Sequence, residues 1–121
     1  MLQANPTRLR THQVASQNAR DVVKLGGALR GPGAYSRADQ LVRAALSISS
    51  NIAEACGRGT LREFRQFLVY ARGSAQELLS QLRIAKSTEP AQRVAIARIE
   101  TRTVLVLKML RGLYEHPPAD R

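Results

Sequence analysis

The sequence predicts an all-α protein: an antiparallel up-down-up-down four-helix bundle, one domain over residues 1–121. Two observations carry this. Apolar residues recur at three- and four-residue spacing in four successive segments, and short links rich in Gly or Pro separate those segments. No useful stretch alternates apolar and polar residues with a period of two, so strands are not expected. A chain of 121 residues suits one domain and can bury roughly two-thirds of its unfolded surface.

The first helix is expected over about 8–29. Val14, Asn18, Val22, Leu25 and Leu29 fall on one face, because residues three or four apart are stacked on a helix. Gly26-Gly27 weakens its last turn, and Arg30 to Ser36 reads as a turn-rich link. The second helix is expected over about 37–56. Ser36 serves as N-cap, Asp39 suits the positive helix end, and Leu41, Ala45, Ile48, Ile52 and Ala55 form the stripe. Gly57-Arg58-Gly59 ends it, through a glycine in the left-handed conformation.

The third helix, about 61–87, opens on the capping-box pattern Thr60-Leu61-Arg62-Glu63. Its stripe is Phe64, Phe67/Leu68, Ala71, Ala75, Leu78, Leu82 and Ala85, and mid-helix Gly73 is expected to let another backbone approach closely. Thr88-Glu89-Pro90 stops it and restarts the chain, since proline fits only a first turn. The fourth helix, about 91–114, carries Ile96, Ile99, Thr103, Val106, Leu110 and Leu113, and Pro117-Pro118 closes it before a frayed tail over 115–121.

Nineteen basic residues face nine acidic ones, a formal charge of +10. All but Lys24, Lys86 and Lys108 of the basic residues are arginines. Such an excess favours an anionic partner, RNA or DNA first. On a wheel of about 100° per residue, Arg62, Arg65, Arg72, Arg83 and Lys86 share one arc of the third helix. Arg98 and Arg102 add to the charge on the fourth. These seven are the candidate nucleic-acid contacts, because guanidinium forks spaced along a surface match phosphates. The competing reading is a solvated charged face. The five aromatics, Tyr35, Phe64, Phe67, Tyr70 and Tyr114, are too few for a series of stacking platforms.

A second arc of the third helix holds Tyr70, Ser74, Glu77 and Gln81; on the second helix Ser47, Asn51, Glu54 and Arg58 repeat the arrangement. Such lines can meet as a polar seam. Its candidate members are Asn51, Glu54, Arg58, Ser74, Glu77 and Gln81. A hydrogen-bonded strut is favoured over an active site, because the paired nucleophile and base of a catalytic centre are missing. Val94, Leu105 and Met109 form a second apolar line on the fourth helix. They are the candidate contact with another copy of the chain, as a lone bundle should not expose such a line.

Other chemistry is not expected. His12 and His116 lie near the ends, and no Glu-x-x-His pair or zinc spacing is present, so no metal or other cofactor is implied. The glycines match neither phosphate-binding fingerprint, and Gly57-Arg58-Gly59-Thr60 reads better as a turn than as an anion cradle. Lone Cys56 permits no intrachain disulfide and reads as a small core residue. The stretch from Met1 to Gln13 has no apolar run of a secretory signal, and Val104 to Leu107 is far short of the ~20 residues of a membrane span. A cytoplasmic, non-enzymatic protein without membrane contact or small-molecule substrate is expected.

Ser47-Ile48-Ser49-Ser50-Asn51-Ile52-Ala53-Glu54-Ala55-Cys56-Gly57-Arg58 resembles the four-helix bundle protein family, also called 23S rRNA intervening-sequence proteins. That family's pattern reads S-I-P-S-N-I-A-E-G-x-G-R. Its second pattern, E-F-x-x-F-L followed by G-S-x-x-E-L-x-x-Q-L, matches Glu63-Phe64, Phe67-Leu68, Gly73-Ser74, Glu77-Leu78 and Gln81-Leu82. Leu9, Gln13 and Ala15 fit a looser N-terminal pattern. Ser49 stands where the family has proline, so the second helix should be less kinked. Ala55 replaces a glycine and His12 an aromatic. The resemblance implies a homopentameric ring with a positive surface. It also implies kinship with the accessory protein of diversity-generating retroelements, which binds nucleic acid and a reverse transcriptase. The alternative is a structural or protein-interaction module with no nucleic-acid ligand.

Overall fold

A computed structural model describes residues 9–118. The chain forms α1 (Arg10–Ala28), α2 (Ala34–Cys56), α3 (Leu61–Thr88) and α4 (Arg93–Glu115), with a 3-10 turn, Pro90–Gln92, leading into α4. There is no strand among the described residues. Of the expected 115–121 tail, Glu115 still belongs to α4 and 116–118 follow it without helix or strand, while 119–121 lie outside the described residues.

One core holds the four helices together. Val22, Leu41, Ile48, Ile52, Phe64, Leu78, Leu82, Ile96 and Val106 are its largest sealed apolar side chains. The four expected stripes supply them, and Leu113 packs on the core's edge. The small residues Ala71 and Ala75 on α3, with Ala44, Ala45 and Ala55 on α2, are also buried. They let these two helices share the most extensive contact in the molecule.

The helix ends differ from expectation in three places. α2 begins two residues before Ser36, with Gly33 as N-cap at φ +77°. Gly31 at φ +86° and Gly33 make a turn that side chains would strain. The turn starts the helix early, so a serine cap has nothing left to cap. Gly57 ends α2 with a right-handed backbone at φ −90°, not a left-handed one. At Pro90 the chain makes a 3-10 turn before α4 rather than entering an α-helix directly. Thr60 caps α3 as expected, its hydroxyl oxygen accepting from the Glu63 N–H at 3.1 Å. α2 runs unbroken through Ser49, whose hydroxyl donates to the Leu46 carbonyl.

Two of the polar contacts between elements involve buried side chains, Asn18 with Thr103 and Glu89 with Arg37. Asn18, on α1, donates from Nδ2 to Thr103 Oγ1 of α4 at 3.0 Å, and Thr103 donates to the Ile99 carbonyl at 2.7 Å. Both side chains are sealed in the core, and Asn18 Oδ1 has no partner among the described residues. The second is a clasp between the two links. Buried Glu89 accepts from the Arg30 backbone N–H at 3.1 Å and from Arg37 Nη2 at 2.6 Å. Arg37 also donates to the Pro32 and Arg30 carbonyls. Glu89 follows α3 and Arg37 lies in the first turn of α2, so the clasp holds the α1–α2 link to the α3–α4 link.

Candidate nucleic-acid interface

The basic arc of α3 lies along the border with α4. Arg65 is half-buried there: its Nε donates to the Tyr114 carbonyl at 2.9 Å, and its guanidinium sits 5.1 Å from the Tyr114 ring centre. Lys86, in the last turn of α3, pairs with Glu100 of α4, and Arg102 of α4 pairs with Asp21 of α1. Burial pushes the Asp21 carboxyl upward. The hydrogen bond and charge of Arg102, helped by Gln17 and Lys24, more than offset this and hold it below its ordinary value. Arg62, Arg72, Arg83 and Arg98 are exposed and have no carboxylate partner among the described residues. Of the seven candidate contacts, four therefore present open charge, two face a carboxylate and one braces a tyrosine.

Two shallow depressions adjoin on this border. One, of about 490 Å³, has Leu68, Val69, Leu107 and Leu110 as an apolar floor, with Arg72, Arg111 and Tyr114 around it. The other, of about 410 Å³, is bounded by Arg62, Arg65, Val69 and Tyr114. They share Val69 and Tyr114, so they form one basic-rimmed groove. Sequence reasoning counted Tyr114 only as one of few aromatics. Its place beside Arg65 depends on how far α4 runs past α3's first turns.

On the other side of α3 the seam residues divide. Ser47 Oγ and Ser74 Oγ are 2.8 Å apart, and Asn51 Nδ2 donates to the Ser47 carbonyl at 2.8 Å and to its hydroxyl at 3.1 Å. Gln81 donates to Gln40 at 2.8 Å. Arg58 pairs with Glu54 at 2.7 Å and lies 4.3 Å over the Phe67 ring, which Tyr70 meets edge-on. Glu77 is exposed and joins none of these contacts. Gln40 went unnoticed in the sequence, although it precedes Leu41 just as Ser47 precedes Ile48. Arg37 and Glu89 carried no such signal, because both sit at helix ends, outside any repeating pattern.

Gly73 departs from expectation. Among the described residues a Cβ there would meet nothing within 4 Å, so no backbone of another described element approaches it. The close approach occurs at Gly26 instead, where a Cβ would come 3.3 Å from Ala38 Cβ. On the apolar line of α4, Val94 is 76% and Leu105 42% exposed, while Met109 is half-buried. Cys56 is buried and in no disulfide. No three His, Cys, Asp or Glu side chains could hold a metal among the described residues, nor is any described helix long and apolar enough to cross a membrane.

Four helices, one core and a basic groove define an all-α protein with a cationic face. The chain belongs to the 23S rRNA-intervening sequence protein family, whose model matches residues 7–112. Among solved structures it is similar to a protein of unknown function of the S23 ribosomal protein family from Bacteroides thetaiotaomicron VPI-5482. The TM-score is 0.77 at 22% identity, over 87% of this chain and 98% of the other. That likeness concerns the fold. No curated protein matches the chain.

Proposed function

We propose that this protein is a cytoplasmic, non-enzymatic, homo-oligomeric bundle that binds RNA or DNA through the arginine-rich faces of α3 and α4. The observation that carries the reading is open charge. Arg62, Arg72 and Arg83 on α3 and Arg98 on α4 lie exposed, with no carboxylate partner among the described residues, on a chain of net charge +10. Guanidinium groups in that state gain most from phosphates, which release their own counterions on contact.

The helices run antiparallel, up-down-up-down. In support, Gln40 meets Gln81, Ser47 meets Ser74 and Arg58 meets Phe67, so residue numbers rise on α2 as they fall on α3. The pairs Lys86–Glu100 and Arg65–Tyr114 relate α3 to α4 in the same sense. Exposed Val94 and Leu105 support contact between copies, since water disfavours apolar surface left open. Five copies in a ring is the number the family resemblance implies. Such a ring would add the basic faces of its members into one positive surface.

The test is anisotropy of a labelled mixed-sequence RNA oligonucleotide between about 50 and 200 mM salt. Affinity should fall steeply, with a log–log slope near −0.7 per phosphate contacted on a single strand. Changing Arg62, Arg72 and Arg83 together to Gln should make that slope shallower by about two. Absence of binding at micromolar protein, or affinity indifferent to salt, overturns the proposal. Light scattering tests the assembly: Val94→Glu should reduce the particle mass, and a wild-type protein of single-chain mass refutes it. The internal pairing of Lys86 and Arg102 favours the second reading, a protein-interaction module. Capture of one protein partner, with no nucleic acid needed after nuclease treatment, would support that reading.

A further inference from the structure

We infer that the α3–α4 groove is a single-strand site that takes one unpaired base against Tyr114 while arginines on either side hold the flanking phosphates. The inference rests on the nucleic-acid reading above and specifies which form of nucleic acid the site accepts. A row of arginines alone would serve a duplex as well as a single strand. This groove differs because its floor is apolar: Leu68, Val69, Leu107 and Leu110 line it between the charged groups. A duplex keeps its base faces stacked on each other and presents only phosphates, sugars and base edges to a protein surface. It would leave that floor wet. A single strand can turn a base inward, and aromatic side chains take such bases face to face.

Tyr114 is set for this role. It is 43% exposed, at the junction of the two depressions. Arg65 braces it, with Nε on the Tyr114 carbonyl at 2.9 Å and the guanidinium 5.1 Å from the ring centre. The guanidinium therefore favours one orientation of the ring before any ligand arrives, which reduces the ordering cost of binding. Arg62 borders one depression and Arg72 the other, separated by roughly 15 Å of helix at 1.5 Å per residue. Both are without a carboxylate partner among the described residues. The acidic group on the groove's edge, Glu115, lies 3.7 Å from Arg111 Nε. The rim thus carries more positive than negative charge, which suits a phosphate backbone entering and leaving past a central aromatic. The depression lined by Leu68 and Leu110, about 490 Å³, offers space for a base beside Tyr114.

The experiment compares three labelled probes of equal length at one salt concentration: a mixed-sequence single strand, its duplex, and the same strand with every base removed. The wild-type protein should bind the single strand about tenfold more tightly than the base-free strand, a modest value for a stacked base. Tyr114→Ala should bring single-strand affinity down to the base-free level and leave base-free affinity unchanged. Tyr114→Phe should restore it, since stacking needs the ring and not the hydroxyl. The Arg65 bond to residue 114 goes to the backbone carbonyl, so the alanine variant should keep its helical circular dichroism. If it does not, the phenylalanine variant and the wild-type comparison of the three probes decide the matter.

Equal binding of all three probes by the wild type overturns this inference and leaves the broader reading intact. Binding of none of them overturns both. Polyglutamate that displaces the single strand at matched charge would assign the groove to acidic peptide, and the inference again fails.

Discussion

Thr103→Val tests the one polar pair sealed in the core. Valine keeps the shape of threonine and removes the hydroxyl. Asn18 Nδ2 then loses its acceptor, while Asn18 Oδ1 is already without a partner among the described residues. The result is a buried amide with neither end satisfied. A buried donor left unpaired costs about 1–3 kcal/mol, and complete burial of both side chains puts the effect near the middle, about 2 kcal/mol. Unfolding entropy is about 2.1 cal/mol/K per residue near 60 °C, which for 121 residues gives about 0.25 kcal/mol/K. The expected fall in Tm is therefore about 8 °C. Asn18→Leu reverses the logic, because it deletes the unsatisfied carbonyl and fills the same space. Thr103 keeps its own bond to the Ile99 carbonyl. The double variant should recover most or all of the loss. Thermal circular dichroism at fixed protein concentration reads all three. A Thr103→Val protein as stable as wild type, or a double variant less stable than Thr103→Val alone, would refute this account of the pair.

Glu89→Ala should lower stability by about 2–3 kcal/mol, since removing one partner of a buried pair strands the other charge. The figure is below the full range because Arg37 is partly exposed and keeps two carbonyl acceptors; amide exchange should rise first at residues 29–37. Gly73→Ala should raise stability by about 1 kcal/mol, as alanine outranks glycine in a helix and nothing lies where the new methyl would go. A loss of particle mass in that variant would place another copy against Gly73. His12 should make the protein weaker in mild acid. Burial lowers its pKa in the folded chain from the ordinary 6.5. The unfolded chain therefore takes up the proton first, and stability present above pH 6.5 declines as the pH falls toward the lowered folded value. His12→Gln should flatten the stability profile from pH 7 to 5, and an unchanged slope would assign it to other groups. Asp21 acts in a lower window: its lowered pKa means that the stability from its pairing with Arg102 declines as the pH falls below about 4.

The helical spacing of Leu41, Ile48, Ile52, Leu78, Leu82, Ile96 and Val106 decided in advance which faces would be buried. A 3.6-residue period fixes a side chain's direction relative to its own helix, so amphipathic stripes need no tertiary information to be read. The Thr60–Glu63 cap is equally local. Half of the seam was legible for the same reason: Ser47, Asn51, Ser74 and Gln81 each precede an apolar position. The motif patterns around Asn51 and Ser74 placed the chain in its family before any coordinates. What stayed hidden depends on how one helix meets another. The Glu89–Arg37 clasp joins two links 52 residues apart in sequence. Arg65 finds Tyr114 across 49 residues, and Lys86 and Arg102 find their carboxylates on neighbouring helices. A charge stripe on a wheel shows direction around one axis only. Which of its members remain open to a ligand depends on the offset of the adjacent helix along that axis, and side-chain packing across the interface sets that offset.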